Sequence, residues 1–365
     1  MIRAAWSRLR LKPSMTNALI VLLLFAIGEI THVHAQQSNQ GAAPQTPQKP
    51  VGQAPQKDDK LPDIAQIFPD QPGVLTPKGE LTAEPSLQYA NSTNNRVALV
   101  GFTIIPAITV GLINIQAVQR DTWTAGLTTR YGVTNRFELE TRIPYVYRQD
   151  TTITRAVATP TVADSVFDTN GKGLGDVEFA ARYQLNRGGE DSAYYVGTFR
   201  VKTRSGKSPF DVDIDPTTNL PRELPTGSGF WGIQPQMTWI LPSDPAVLFG
   251  SVSYLYNIKR DVGKGYGTVS PGNAFGINFG MGLSLNEKFS FSVGYDHSSV
   301  AAPRQEGDFT NVIAAGSTVQ VGTLLIGGSY RLSRLTTVNV SLGVGVTRNA
   351  PDLQLTLRIP FSRPR

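Results

Sequence analysis

Residues Phe275, Ile277, Phe279, Met281, Leu283 and Leu285 are large and apolar, whereas Gly276, Asn278, Gly280, Gly282 and Ser284 between them are small or polar. Successive side chains of a β-strand point to opposite faces, so this stretch has one continuously apolar face and one that can meet water. The same two-residue rhythm recurs in segment after segment to the last few residues. A soluble sandwich would bury the apolar face in its core. In an exported chain with so many such strands, that face fits lipid, on the outside of a closed barrel.

Export is read from residues 1–35. Arg3, Arg8, Arg10 and Lys12 precede an apolar run from Ala18 to Ile27, and Val33-His34-Ala35 ends in a small-x-Ala cleavage site. This is the pattern of a cleaved signal peptide. The run is too short and too near the start to be a spanning helix. Membrane residence must then use strands, because only helices and closed barrels satisfy every backbone group inside lipid. The chain has no cysteine, which excludes disulfides, thiolate metal sites, cysteine nucleophiles and a lipoprotein anchor. The formal charge of +6 falls to about half once the leader's charges are set aside, and no basic patch carries interleaved aromatics. No nucleic-acid partner is expected. The slightly negative mean hydropathy argues against a helical bundle but suits a barrel, whose strands are half polar.

Residues 36–80 read as a flexible periplasmic segment. Over 36–60, Gln, Pro and Ala dominate, with too little apolar surface to offset the entropy of ordering. Leu61, Ile64, Ile67 and Phe68 in the remainder could dock on the barrel or enter it. Residues 81–365 form the barrel, all-β and antiparallel, with up-and-down strands. Strands are expected near 83–91, 96–105, 109–118, 121–132, 136–147, 175–186 and 192–203. More follow near 229–241, 246–257, 273–285, 288–298, 320–331, 336–347 and 352–361. Short joints alternate with long ones at 148–174, 204–228, 258–272 and 299–319, as periplasmic turns alternate with extracellular loops. Both ends then lie in the periplasm and the count is even. Residues 96–120 supply either two wall strands or a hairpin within a loop, so the barrel has 14 or 12 strands.

Parity assigns the faces. Over 136–147, Phe137, Leu139, Ile143, Tyr145 and Tyr147 share one face, and Arg136, Glu138, Glu140 and Arg142 share the other. Over 175–186, Val177, Phe179, Tyr183 and Leu185 oppose Asp176, Glu178, Arg182 and Gln184. A midplane arginine facing lipid costs roughly 2–4 kcal/mol, so the charged face must be the lumen. Tyr131, Phe137, Tyr147, Trp231, Trp239, Phe289 and Tyr295 sit near strand ends on the lipid side, as an interfacial girdle would. Pro235 interrupts this pattern. It cannot donate to a ladder, so a bulge or a shorter strand is expected there.

Two resemblances follow from these residues. Leu353, Leu355, Leu357, Ile359 and Phe361 resemble the closing strand by which bacterial outer-membrane proteins engage the barrel assembly machinery, although Ser362-Arg363-Pro364-Arg365 follows the aromatic residue. Gly73-Val74-Leu75-Thr76-Pro77-Lys78-Gly79, Glu84-Pro85-Ser86-Leu87-Gln88-Tyr89 and Asn95-Arg96 open a wider match. It continues in Ala125-Gly126-Leu127-Thr128-Thr129-Arg130-Tyr131-Gly132 and Arg142-Ile143-Pro144-Tyr145-Val146-Tyr147-Arg148. These stretches resemble the outer-membrane transporter family associated with the meta-pathway of phenol degradation, over most of residues 73–361. The resemblance implies a barrel and suggests transport. It carries no catalytic residue over.

The strongest constellation is Arg130, Glu138, Glu140, Arg142, Glu178, Arg182, Arg200 and Lys202, on four strands that follow one another as hairpins. These residues should share one side of the lumen. They form either a charged constriction that orders passing solutes or a network of Arg–Glu pairs that closes the interior. His297 and Ser299 share a face, as in outer-membrane phospholipase barrels. Activation of that serine would need an orienting carboxamide or carboxylate on a neighbouring strand. Asp211, Asp213 and Asp215 lack the glycine and terminal glutamate of a calcium loop, so no metal is expected. The expectation is a Gram-negative outer-membrane channel for passive passage of small solutes, aromatic or hydrophobic compounds among the candidates, with lipid as its surroundings and no cofactor. The alternatives are a lipid-modifying barrel enzyme using His297 and Ser299, and a structural or adhesion barrel with a plugged lumen.

Overall fold

A computed structural model describes residues 75–93, 97–100, 103–106, 115–154, 165–188, 192–215, 221–243, 245–311, 313, 317–333 and 335–363. The expected signal peptide and all of the 36–80 segment before Leu75 lie outside the described residues. The chain opens with β1 (Leu81–Thr93), a short hairpin of β2 (Val97–Val100) and β3 (Thr103–Pro106), and the long strands β4 (Ile115–Thr134) and β5 (Phe137–Thr154). Next come β6 (Ser165–Leu174), β7 (Glu178–Gln184), β8 (Tyr194–Lys202), β9 (Gly232–Pro242) and β10 (Ala246–Asn257). Two short strands, β11 (Arg260–Asp261) and β12 (Thr268–Ser270), precede β13 (Ala274–Ser284) and β14 (Phe289–Val300). The remainder are β15 (Arg304–Glu306), β16 (Val319–Arg331), β17 (Thr337–Gly345), β18 (Leu353–Arg358) and β19 (Phe361–Arg363).

The wall runs β1-β4-β5-β7-β8-β9-β10-β13-β14-β16-β17-β18, and β18 returns to pair antiparallel with β1 from Ser86↔Arg358 to Asn91↔Leu353. That closure makes a 12-stranded barrel and removes the sheet edges that would otherwise seek a partner. The choice between 14 and 12 is settled by β2 and β3. Among the described residues they pair only with each other, outside the wall, while residues 115–120 simply lengthen β4. The expected loop 148–174 is also shorter than its sequence suggested. β5 runs on to Thr154 and β6 pairs with it from Tyr145↔Leu174 to Thr154↔Ser165.

β6 and β7 are one wall strand with a bulge. Tyr145 faces Leu174, but Arg142 faces Glu178, so Gly175–Val177 contain one residue more than the partner strand. Pro235 produces neither of the expected irregularities. β9 is continuous through it, and its ladder to β10 skips Gln234 and Pro235 without a change of register. Pro360 separates β18 from β19, which continues along β1 in the same register.

The parity assignment holds. Leu139 is 47% exposed and Tyr145 51%, whereas Glu138 and Glu140, on either side of Leu139, are 1% and 8% exposed. Outward Phe179, Phe199, Phe275 and Phe279 are exposed in the same way. No helix among the described residues is long and apolar enough to cross a membrane; the apolar belt of a closed barrel does so here. The apolar clusters buried by the chain itself lie elsewhere. Phe210, Phe230, Val262, Tyr266, Val269 and Ile313 pack as the core of an extracellular cap, beside the three-stranded sheet β11-β12-β15. Burial in this cap pushes the Tyr266 phenol up from its ordinary value.

Candidate functional site

Four strands, β4, β5, β7 and β8, place their inward residues in one charged wall. Arg130 Nε donates to Glu140 Oε2 at 2.9 Å and its Nη1 to Glu84 Oε2 at 3.1 Å. Arg200 reaches Glu140 at 3.5 Å and Glu178 at 3.6 Å. Arg182 donates to Glu138, whose other oxygen accepts the Thr76 amide at 2.6 Å. All eight residues expected in this wall are buried, on inward-facing positions. Seven of them enter these ion pairs or, in the case of Lys202, one to Asp176 at 3.9 Å. Arg142 faces the interior space beside Arg200. The wall is thus largely a pairing network, in which buried charges meet opposite ones. Glu84 was missing from the expected set. It is an even-numbered residue of the first strand, so parity alone would have placed it inside.

The opposite wall is built from small side chains. Ser251, Ser253, Gly276, Asn278, Ser298, Thr323 and Thr356 come from β10, β13, β14, β16 and β18. Where long Arg–Glu pairs fill one side and serines line the other, space remains between them. It is a cavity of about 160 Å³ inside the barrel. That is well above the roughly 10–15 Å³ at which a cavity first admits a water, and leaves room for several waters or a solute of single-ring size. Gln88, Gln234 and Gln236 add hydrogen-bonding groups, and Leu255, Ala274 and Leu325 add apolar contact.

Both mouths are narrowed by chain that turns inward. At the periplasmic end Leu75 and Thr76 are buried, with Thr76 on inward Glu138. A Cβ on Gly132 would stand 2.1 Å from the Pro77 carbonyl, so only glycine permits this approach. At the extracellular end the long connection between β8 and β9 enters the barrel. Arg148 Nη1 donates to the Pro225 carbonyl at 2.8 Å, and Lys202 Nζ to Ser228 Oγ at 2.7 Å. Inward Gly171, Gly173 and Gly175 form the groove on which Leu224–Thr226 lie; a Cβ on Gly171 would sit 2.1 Å from the Leu224 carbonyl oxygen. Glycine at every second position was the signal for this contact, in a stretch expected to be loop.

His297 and Ser299 share the outward face near the extracellular rim, and an adjacent-strand carboxamide is present. His297 Nε2 meets Gln320 Oε1 at 2.9 Å, and Gln320 Nε2 donates to Ser299 Oγ at 2.8 Å. The carboxamide therefore stands between the imidazole and the hydroxyl. General-base activation requires those two to touch, and in this arrangement they do not. The other imidazole nitrogen meets Tyr295 Oη at 3.0 Å. Among the described residues no cluster of three metal-ligating side chains occurs; the Asp215 carboxylate pairs with the Arg222 guanidinium at 3.6 Å, and the Arg222 amide donates to the Asp213 backbone carbonyl.

An outer membrane channel from Pseudomonas putida F1 is similar in structure, with 13% identity, a TM-score of 0.52, and 80% of this chain and 98% of that chain covered. At that identity the likeness concerns the fold. A toluene transporter from Ralstonia pickettii (10% identity, TM-score 0.37, 79% and 90% covered) and the transport unit of an autotransporter from Escherichia coli (10%, TM-score 0.41, 79% and 90% covered) are more distant, and say nothing further about this chain. A family model matches residues 109–361, more than two thirds of the sequence. This barrel, with its charged inner wall, polar cavity and apolar outer belt, belongs to the family described as "Putative MetA-pathway of phenol degradation".

Proposed function

We propose that this protein is a passive outer-membrane channel for small solutes, and that aromatic compounds bearing a polar group are the class its interior suits. The observation that carries the reading is the cavity enclosed by the wall. A solute entering it exchanges hydrogen bonds to water for bonds to Gln, Ser, Thr and Arg side chains, while Leu255 and Leu325 offer a ring apolar contact. The family's association with phenol degradation supports the same class. Three arginines, Arg142, Arg200 and Arg358, border the cavity against two carboxylates, Glu84 and Asp296. Cations are repelled and anions attracted by such a lining, and added salt screens the effect.

Purified, refolded protein in planar bilayers should give small conductances with a mild anion preference. The preference should shrink between ~0.1 M and ~1 M salt as the Debye length falls. Liposomes containing the protein should admit phenol-sized solutes faster than empty liposomes. Folded protein that neither conducts nor admits any such solute would overturn the channel, leaving a structural barrel.

A further inference from the structure

We infer that Asp176 is the residue that sets the width of the channel's extracellular mouth, by holding both limbs of the β8–β9 connection inside the barrel. The inference rests on the channel reading. Asp176 belongs to the β6–β7 bulge, and the extra residue there turns its carboxylate inward, where it is 3% exposed. Its Oδ1 accepts the Gly206 amide at 3.1 Å, on the limb leaving β8. Its Oδ2 accepts the Ser228 amide at 2.8 Å and the Ser228 hydroxyl at 2.6 Å, on the limb returning to β9. One carboxylate thus ties the two limbs together, and Lys202, itself 1% exposed, stands 3.9 Å away to balance its charge.

The tied segment covers what would otherwise face the lumen. Val146 is fully buried and Pro144 nearly so, both beside the groove on which Leu224–Thr226 rest. Arg148 beneath it donates Nη1 to Pro225, while its buried Nε and Nη2 meet no acceptor. Those two N–H groups point the same way and match a carboxylate or water pair. Withdrawal of the segment would open them to water and would break the Arg148–Pro225 bond. Asp176 supplies three charge-assisted bonds to resist it. Asp176 is a positioning residue: it acts on the solute path through the loop.

The test uses the whole protein in planar bilayers. Asp176→Asn keeps the size and removes the charge, and Ser228→Ala removes one of the three bonds. Asp176→Asn should raise the open fraction by about tenfold, Ser228→Ala by less, and Asp176→Glu should stay near the parent. Unchanged heat-dependent gel migration verifies that each variant is folded. The chain has no cysteine of its own, so Asp176→Cys with Ser228→Cys can be bridged specifically by a short bis-methanethiosulfonate. The bridged pair should close and should reopen on reduction. Bridged protein that conducts as well as its reduced form overturns the inference while the channel stands. If the parent, Asp176→Asn and the reduced pair all fold and none conducts, the channel reading fails and this one falls with it.

Discussion

Leu139 and Glu140 are neighbours in the chain and occupy different solvents. Leu139 meets lipid, and Glu140 holds Arg130 and Arg200 in the interior. An arginine placed at 139 faces hydrocarbon and costs about 2–4 kcal/mol at the midplane. Glu140→Leu removes a shared partner and leaves two buried guanidinium groups short of charge, at a cost of about 3–5 kcal/mol. Leu139→Ala keeps an apolar surface in lipid and should cost less than either. Urea titration of refolding into lipid vesicles reads all three. Equal stability of Leu139→Arg and Leu139→Ala would show that position 139 does not face lipid. The face of each residue was legible because parity needs only the neighbouring residue types. The partner of each charge was not: Glu84 lies far from Arg130 in sequence and reaches it only because β1 and β4 are adjacent.

At the scale of elements, departures from a plain ladder matter most. The bulge at Gly175–Val177 turns Asp176 inward, and the alternating glycines before it give the returning loop a place to lie. Gly171→Val should therefore act on the loop and spare the wall. Its side chain cannot coexist with the Leu224 carbonyl, so the segment should be expelled, and a protease added outside should cut between residues 204 and 231. Heat-dependent migration should persist in the same protein. Resistance to cleavage equal to that of the parent would mean that the groove does not seat the loop. Pro235 teaches a complementary lesson. The missing donor was legible, but the strand tolerates it by dropping ladder bonds to β10 while keeping those to β8 from Tyr194↔Ile240 to Lys202↔Gly232.

For the whole molecule, closure is the decisive feature. Each wall strand is hydrogen-bonded on both sides, so detergent finds no free edge from which to unravel the sheet. The protein should fractionate with outer membrane and migrate faster on a gel when unheated than when boiled. Recovery as a soluble periplasmic protein with no heat-dependent shift would contradict the lipid-facing belt. A closed barrel of this size also explains why wall and cavity coexist. Paired long side chains on β4, β5, β7 and β8 fill one side, and serines and glycines on the other strands leave the rest open.

By itself the sequence determined that this is a barrel, and parity assigned the lipid-facing and inward faces of its strands. Those properties depend on a period of two and on the cost of a charge in hydrocarbon, both local. Only the tertiary structure decided that the strands number twelve, that Arg142 and Arg200 border a cavity, that Arg130 and Arg182 pair with Glu140 and Glu138, and that a loop lies within the mouth. Each of these depends on which strands become neighbours and on how much space their side chains leave. Neither quantity is carried by any one segment of the chain.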